Sequence, residues 1–169
     1  MNIQPLNEPV HRGLTHLRLL NFRSIAAADI ALTPLTIFVG PNASGKSNIL
    51  RSLSFLRNAL TLQLNTALDL EGGLSSVRRK GPGVRITNRH TESEISGIDF
   101  QAPEIGLSVN CVLESTEGQW RQVEYGFQLK AIDPLRCRVV RERCLVYLLD
   151  GAKRKASAGF DRRPKSTTI

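Results

Sequence analysis

From Leu14 apolar and polar positions alternate through Leu14, His16 and Leu17-Arg18-Leu19-Leu20-Asn21-Phe22, which predicts a strand. Ala28-Asp29-Ile30-Ala31-Leu32 predicts a second strand, antiparallel to the first, and Pro34 marks a turn. Leu35-Thr36-Ile37-Phe38-Val39 is a continuous apolar run ending at Gly40, and such a run predicts a strand buried on both faces. After Gly45 the period changes. Ile49, Leu50, Leu53, Leu56, Leu60 and Leu64 recur at helical spacing and predict a helix from about Lys46 to Leu60 or beyond. Leu62 to Leu70 extends it or starts a further helical turn, and Gly72-Gly73 stops it. Residues 75–94 are polar and read as a loop. Ile95 to Gln101, Leu107 to Leu113, Gln122 to Ala131 and Arg138 to Leu149 are strand candidates, and their spacing predicts an antiparallel meander.

The 169 residues carry 23 Lys and Arg against 15 Asp and Glu, a formal charge of +8, and 41% are hydrophobic. That composition belongs to a globular chain able to bury a core without disulfides. No apolar run is long enough for a transmembrane helix, and the N-terminus lacks a signal pattern. The three cysteines, Cys111, Cys137 and Cys144, have no CxxC spacing and suit a reducing cytoplasm, so a cytoplasmic location without membrane association is expected. Residues 1–13, with Pro5, Pro9 and Gly13, read as an irregular lead-in, residues 14–150 as one lobe and 151–169 as a basic tail. The tail holds six of the basic residues and one acid, a net of +5, so most of the positive balance describes this end. A basic chain suits nucleic acid, and a solvated tail is the plain alternative.

The strongest chemical signal is Gly40-Pro41-Asn42-Ala43-Ser44-Gly45-Lys46-Ser47, which fits G-x-x-x-x-G-K-[ST]. Glycine lets the main chain approach a ligand, and successive N–H groups then form an anion nest. The helix opening near Lys46 points its positive end at the same place. Lys46 reaches the β- and γ-phosphates of a bound nucleotide, and the Ser47 hydroxyl joins a Mg²⁺ shell. At ordinary glycine usage a chance match in a chain of this length is on the order of one in two hundred. The placement after an apolar strand and before an amphipathic helix strengthens the reading.

Leu17-Arg18-Leu19-Leu20-Asn21-Phe22-Arg23-Ser24-Ile25, followed by Leu35 to Asn48, resembles the N-terminus of the ABC-class chromosome and repair ATPases, a group that includes SMC, RecF and the OLD-type or AAA family ATPases of bacteria and phages. The resemblance covers about residues 14–60. It implies an α/β fold: the N-terminal lobe of a P-loop NTPase, with a mixed sheet around the P-loop helix followed by an antiparallel β meander, in an incomplete domain. It implies ATP with Mg²⁺ as cofactors. By the same resemblance Arg23 contacts phosphate, Asn42 lies near the γ-phosphate, Asn48 lies on the α-phosphate side, and Ala43 stands where a small residue is needed. It implies a second ATPase subunit or an effector nuclease as partner, and DNA as a further one.

Hydrolysis in that family also needs a strand ending in Asp-Glu, a signature loop and a downstream His, and neither the Asp-Glu pair nor the loop is found in this sequence. Leu145 to Asp150 is apolar and ends in Asp, but Gly151 follows. Asp150 is therefore either a hairpin turn residue or a Mg²⁺-binding aspartate. Arg78-Arg79-Lys80 is either a contact to DNA phosphates or a solvated loop. Gln101 and Gln128 are candidates for a γ-phosphate sensor. His11, His16 and His90 lack metal-ligand spacing. The chain thus reads as a nucleotide-binding lobe whose ATPase activity needs a catalytic half. Two other readings stand beside it: a DNA-binding module with a relic P-loop, and a truncated fragment with no function of its own.

Overall fold

Strand β1 (Gly13–Phe22) turns at Arg23-Ser24 into β2 (Ile25–Ala31), and the two pair antiparallel in the register Leu17–Ile30, Leu19–Ala28 and Phe22–Ile25. The computed structural model describes residues 12–80, 105–133, 136–150 and 153–163. Three helices follow β2: α1 (Lys46–Thr61), α2 (Leu64–Leu70) and the short α3 (Leu74–Val77). Four strands complete the sheet: β3 (Ile105–Glu114), β4 (Trp120–Ala131), β5 (Cys137–Asp150) and β6 (Lys153–Arg162). The order across the sheet is β2-β1-β3-β4-β5-β6, and every neighbouring pair is antiparallel. Three of the predicted meander strands are β3, β4 and β5, and β6 continues the meander. The predicted strand at 95–101 lies outside the described residues.

Alternation makes one sheet face apolar. Leu17 and Leu19 of β1, Leu107 and Val109 of β3, and Phe127 and Leu129 of β4 meet in register on that face and are buried. Helix α1 lies against it with Phe55 and Leu56. The Phe55 ring sits 5.9 Å from that of Phe22 and 6.2 Å from that of Phe127. These distances suit edge-to-face and tilted aromatic packing. Ala67 and Leu68 of α2 and Leu74 and Val77 of α3 close the same core. The packed stripe of α1 is narrower than the spacing predicts, because Leu50 and Leu60 face solvent.

Three expectations need correction. Leu35 to Val39 is no buried strand: Leu35, Ile37 and Val39 are 77%, 72% and 90% exposed. A strand buried on both faces needs a ladder partner and a packed layer, and among the described residues none lies beside this run. Its start is drawn into a local turn instead, where the Thr33 hydroxyl donates to the Leu35 carbonyl at 2.8 Å and the Thr33 N–H donates to Thr36 Oγ1 at 3.0 Å. The sheet is consequently antiparallel throughout rather than mixed, since the only run between β2 and α1 joins none of its ladders.

The basic tail is the third. Residues 153–162 of it form β6, paired with β5 from Asp150–Lys153 to Glu142–Arg162. Asp150 thus ends one arm of a hairpin, as the Asp-Gly pair predicts. Much of the segment's charge is engaged across the sheet. Arg154 meets Glu124 at 2.9 Å and stacks 4.2 Å above the Tyr147 ring, Arg141 meets Asp161 at 2.6 Å, and Arg162 Nε donates to Glu142 at 2.8 Å. The Arg141 guanidinium holds the Asp161 carboxyl below its ordinary range. Burial pushes the free thiols of Cys111, Cys137 and Cys144 up.

Two stability outcomes follow from this packing. Phe55→Ala should cost about 3–5 kcal/mol in urea unfolding, whereas Leu50→Ala on the exposed side should cost under about 0.5 kcal/mol. At Gly159 the φ is +154° and an added Cβ would stand 2.4 Å from the Cys144 carbonyl oxygen. Gly159→Ala should therefore part β6 from β5, seen as faster hydrogen exchange of β6 amides with those of β1 and β3 unchanged.

Candidate phosphate-binding site

The loop between Gly40 and Lys46 is shaped by two left-handed residues, Ala43 at φ 64° and Gly45 at φ 98°. Gly45 is the N-cap of α1, and with no side chain it gives the helix no capping hydrogen bond. Its carbonyl accepts from Asn48 N–H at 2.9 Å and Ile49 N–H at 3.2 Å. The amides of Lys46 and Ser47, at the first two helical positions, have no intrahelical acceptor and point out of the helix end. No acidic residue occupies the first turn of α1, so its positive end is uncompensated. Residues 40–44 and Ser47 are exposed, so the nest is open at the surface.

Lys46 folds back over this loop. Its Nζ donates to the carbonyls of Gly40 at 2.7 Å and Pro41 at 2.6 Å, and lies 3.4 Å from Ser44 Oγ. The side chain therefore sits above the loop that its motif predicts. At Gly40 an added Cβ would stand 3.2 Å from Ser44 Oγ, so the exposed Ser44 side chain would have to give by a few tenths of an ångström. Asn42 and Ala43 form the exposed turn, and Ser47 opens the helix beside it.

The β1–β2 turn leans on the same helix end. Asn48 Nδ2 donates to Ser24 Oγ at 2.7 Å, and a Cβ on Gly45 would stand 3.4 Å from that oxygen. Arg23, one residue earlier, has φ 51°, uncommon for a residue with a Cβ. Its guanidinium pairs with the Glu71 side chain, and its Nη2 donates to the Glu71 carbonyl at 3.2 Å. Arg23 N–H donates to the Val77 carbonyl at 2.7 Å, Arg79 N–H to the Asn21 carbonyl at 2.9 Å, and Phe22 bridges Arg78.

The structure thus gathers Gly40, Asn42, Ala43, Ser44, Gly45, Lys46 and Ser47 in one loop, ties Asn48 to the adjoining turn and pairs Arg23 with Glu71. Sequence reasoning missed Ser24 and Glu71. Ser24 sits inside the resembling segment, but nothing in the sequence marked Glu71, whose role arises only where α2 ends against the β1–β2 turn. Gln128 is buried in β4 opposite Gly106 and Arg141, two strands from β1. Gln101 lies outside the described residues.

The donor set fits a nucleotide's phosphates: open amides at an uncapped helix end, a lysine over them, and a hydroxyl at the next position. No helix among the described residues is long and apolar enough to cross a membrane. Comparison with known proteins shows the family. The chain is similar to the DNA replication and repair protein RecF of Clavibacter michiganensis subsp. michiganensis, 42% identical over 67 residues that make up 38% of this chain and 17% of that protein. RecF of Streptomyces avermitilis is 46% identical over 44 residues, 25% of this chain and 12% of that protein. RecF of Chloroflexus aggregans is 39% identical over 56 residues, 32% of this chain and 14% of that protein. The chain therefore spans 17% or less of the length of these relatives. Residues 14–129, well over half of the chain and inclusive of the phosphate loop, match the AAA ATPase domain, and the chain belongs to that family of ATPases.

Proposed function

We propose that the Gly40–Ser47 loop binds ATP with Mg²⁺ as the nucleotide-binding lobe of a RecF-like, ABC-class ATPase. One observation carries the reading. The left-handed turn at Ala43 and Gly45 leaves the first amides of α1 uncapped, with Lys46 Nζ above them and no acid in the first turn. In this reading the loop amides cradle the phosphates, Lys46 exchanges the carbonyls of Gly40 and Pro41 for the β- and γ-phosphate oxygens, and Ser47 is the metal ligand. Mg²⁺ supplies charge neutralisation across the same phosphates. Asn42 lies toward the γ-phosphate and Asn48 toward the α-phosphate, and Arg23 is a second cationic ligand.

Phosphoryl transfer in such sites rests on positioning and charge stabilisation together with a group that orients water. The 169 residues contain no Asp-Glu pair and no signature loop. In this proposal both come from a catalytic half outside these residues, and a second ATPase subunit completes the site in the cytoplasm. DNA is a proposed partner, because the relatives are named for DNA replication and repair. Its proposed contact is Arg78, Arg79 and Lys80, which line a cavity of about 460 Å³ together with Ser75 and Asp133.

Titration of the chain with a fluorescent ATP analogue should show weak, Mg²⁺-dependent binding that Lys46→Ala lowers about tenfold or more, the scale of a lost charge-assisted contact. Turnover should stay near background. Robust hydrolysis by the chain alone, abolished by Lys46→Ala, would refute the division of binding from catalysis. For DNA, duplex affinity should fall steeply with salt, weaken in Arg78→Glu and ignore Lys46→Ala.

A further inference from the structure

The two cations assigned to phosphate are both engaged by the chain's own oxygens, in different ways. Lys46 rests on two exposed carbonyls, which water can replace at little cost. Arg23 is paired with a carboxylate, and the two side chains are only 16% and 11% exposed. A shielded charge pair of this kind is a real competitor for an anion. The pair is also incomplete, because Arg23 Nε is buried without a hydrogen-bond partner. A buried donor left unmade is costly, and an oxygen-rich phosphate offers more acceptors than one carboxylate and one carbonyl. Arg23 is held meanwhile in the left-handed region, with its N–H on the Val77 carbonyl. Strain of this sort persists only where neighbouring contacts maintain it. These contacts belong to the segment from Glu71 to Arg79, which ends at the basic residues Arg78 and Arg79.

We propose that Glu71 competes with the phosphates of a bound nucleotide for Arg23, so that Glu71 sets the affinity of the phosphate loop from the end of α2. The inference rests on the reading of the loop as a nucleotide site. The Glu71 side chain pairs with Arg23, so it is a positioning residue acting through Arg23. Nucleotide binding exchanges the Arg23–Glu71 pair for an Arg23–phosphate pair and frees the Glu71 carboxylate to solvent. That exchange loosens one of the contacts that hold the 71–79 segment on the β1–β2 turn.

The test is a double-mutant cycle on the full chain, read by titration with a fluorescent ATP analogue and Mg²⁺. Glu71→Gln keeps the shape and removes the charge, and it should tighten binding about tenfold, the scale of one charge-assisted hydrogen bond. In an Arg23→Gln background the same change should have no effect. Asp69→Asn removes an equal charge from an exposed position two residues away and should leave affinity unchanged. A gain that persists in the Arg23→Gln background, or that Asp69→Asn reproduces, would reflect only the general field and overturn the competition. Binding that Lys46→Ala abolishes but Glu71→Gln leaves unaltered would overturn the competition and keep the nucleotide site. Binding by neither wild type nor Glu71→Gln would sink both.

Discussion

The position of the candidate site depends most on one side chain, Phe55. The phosphate loop is exposed, and its own hydrogen bonds are local. What places it is helix α1, and what places α1 is the insertion of Phe55 between Phe22 and Phe127. Those partners come from β1 and β4, separated by β3 in the sheet. One ring therefore ties the helix to two strands at once, across β3. Phe22 is also the last residue of β1, so the same contact fixes where the β1–β2 turn meets the start of the helix.

That turn is the second constraint. Within Asn21–Ser24 the backbone twice enters the left-handed region, at Asn21 and Arg23. On one side Ser24 holds Asn48 in the first turn of α1. On the other, Arg23 and Asn21 hold Val77 and Arg79 through main-chain hydrogen bonds. The phosphate loop and the basic segment after α3 are thus joined through four residues. In the exchange proposed above, a change in what Arg23 pairs with reaches both sides, through Ser24 to Asn48 and through the main chain to Val77 and Arg79.

Charge is organised differently in the sheet. The formal excess looks like a loose basic end along the sequence, yet β6 returns it to the fold as an edge strand whose arginines meet Glu124 and Glu142. Lys153 and Lys155 remain on that edge. An edge strand with exposed backbone groups invites pairing with other chains, and lysines there oppose it. The exposed run Leu35 to Val39 has no such protection. Its apolar side chains face solvent beside the phosphate loop, the reverse of what its composition prescribes.

Local chemistry was legible in the sequence because it depends on short-range rules. The G-x-x-x-x-G-K-S spacing dictated the nest and the lysine over it, period-two alternation dictated β1, β3 and β4, and the helical spacing from Ile49 onward dictated α1 nearly to its last residue. Asp150-Gly151 announced the end of β5. What failed were statements about neighbours. The burial of Leu35 to Val39 requires strands on either side, and no pattern within five residues says whether they are present. The placement of residues 153–162 turned on pairing with β5, which alternation in a Lys- and Arg-rich segment does not reveal. The partner of Arg23 is 48 positions away, at the end of α2, where that helix meets the β1–β2 turn. Sequence by itself determined which residues form the Gly40–Ser47 turn at the start of α1, since backbone conformation and motif spacing are local. Tertiary structure alone decided that Arg23 meets Glu71, since that meeting requires packing of elements distant along the chain.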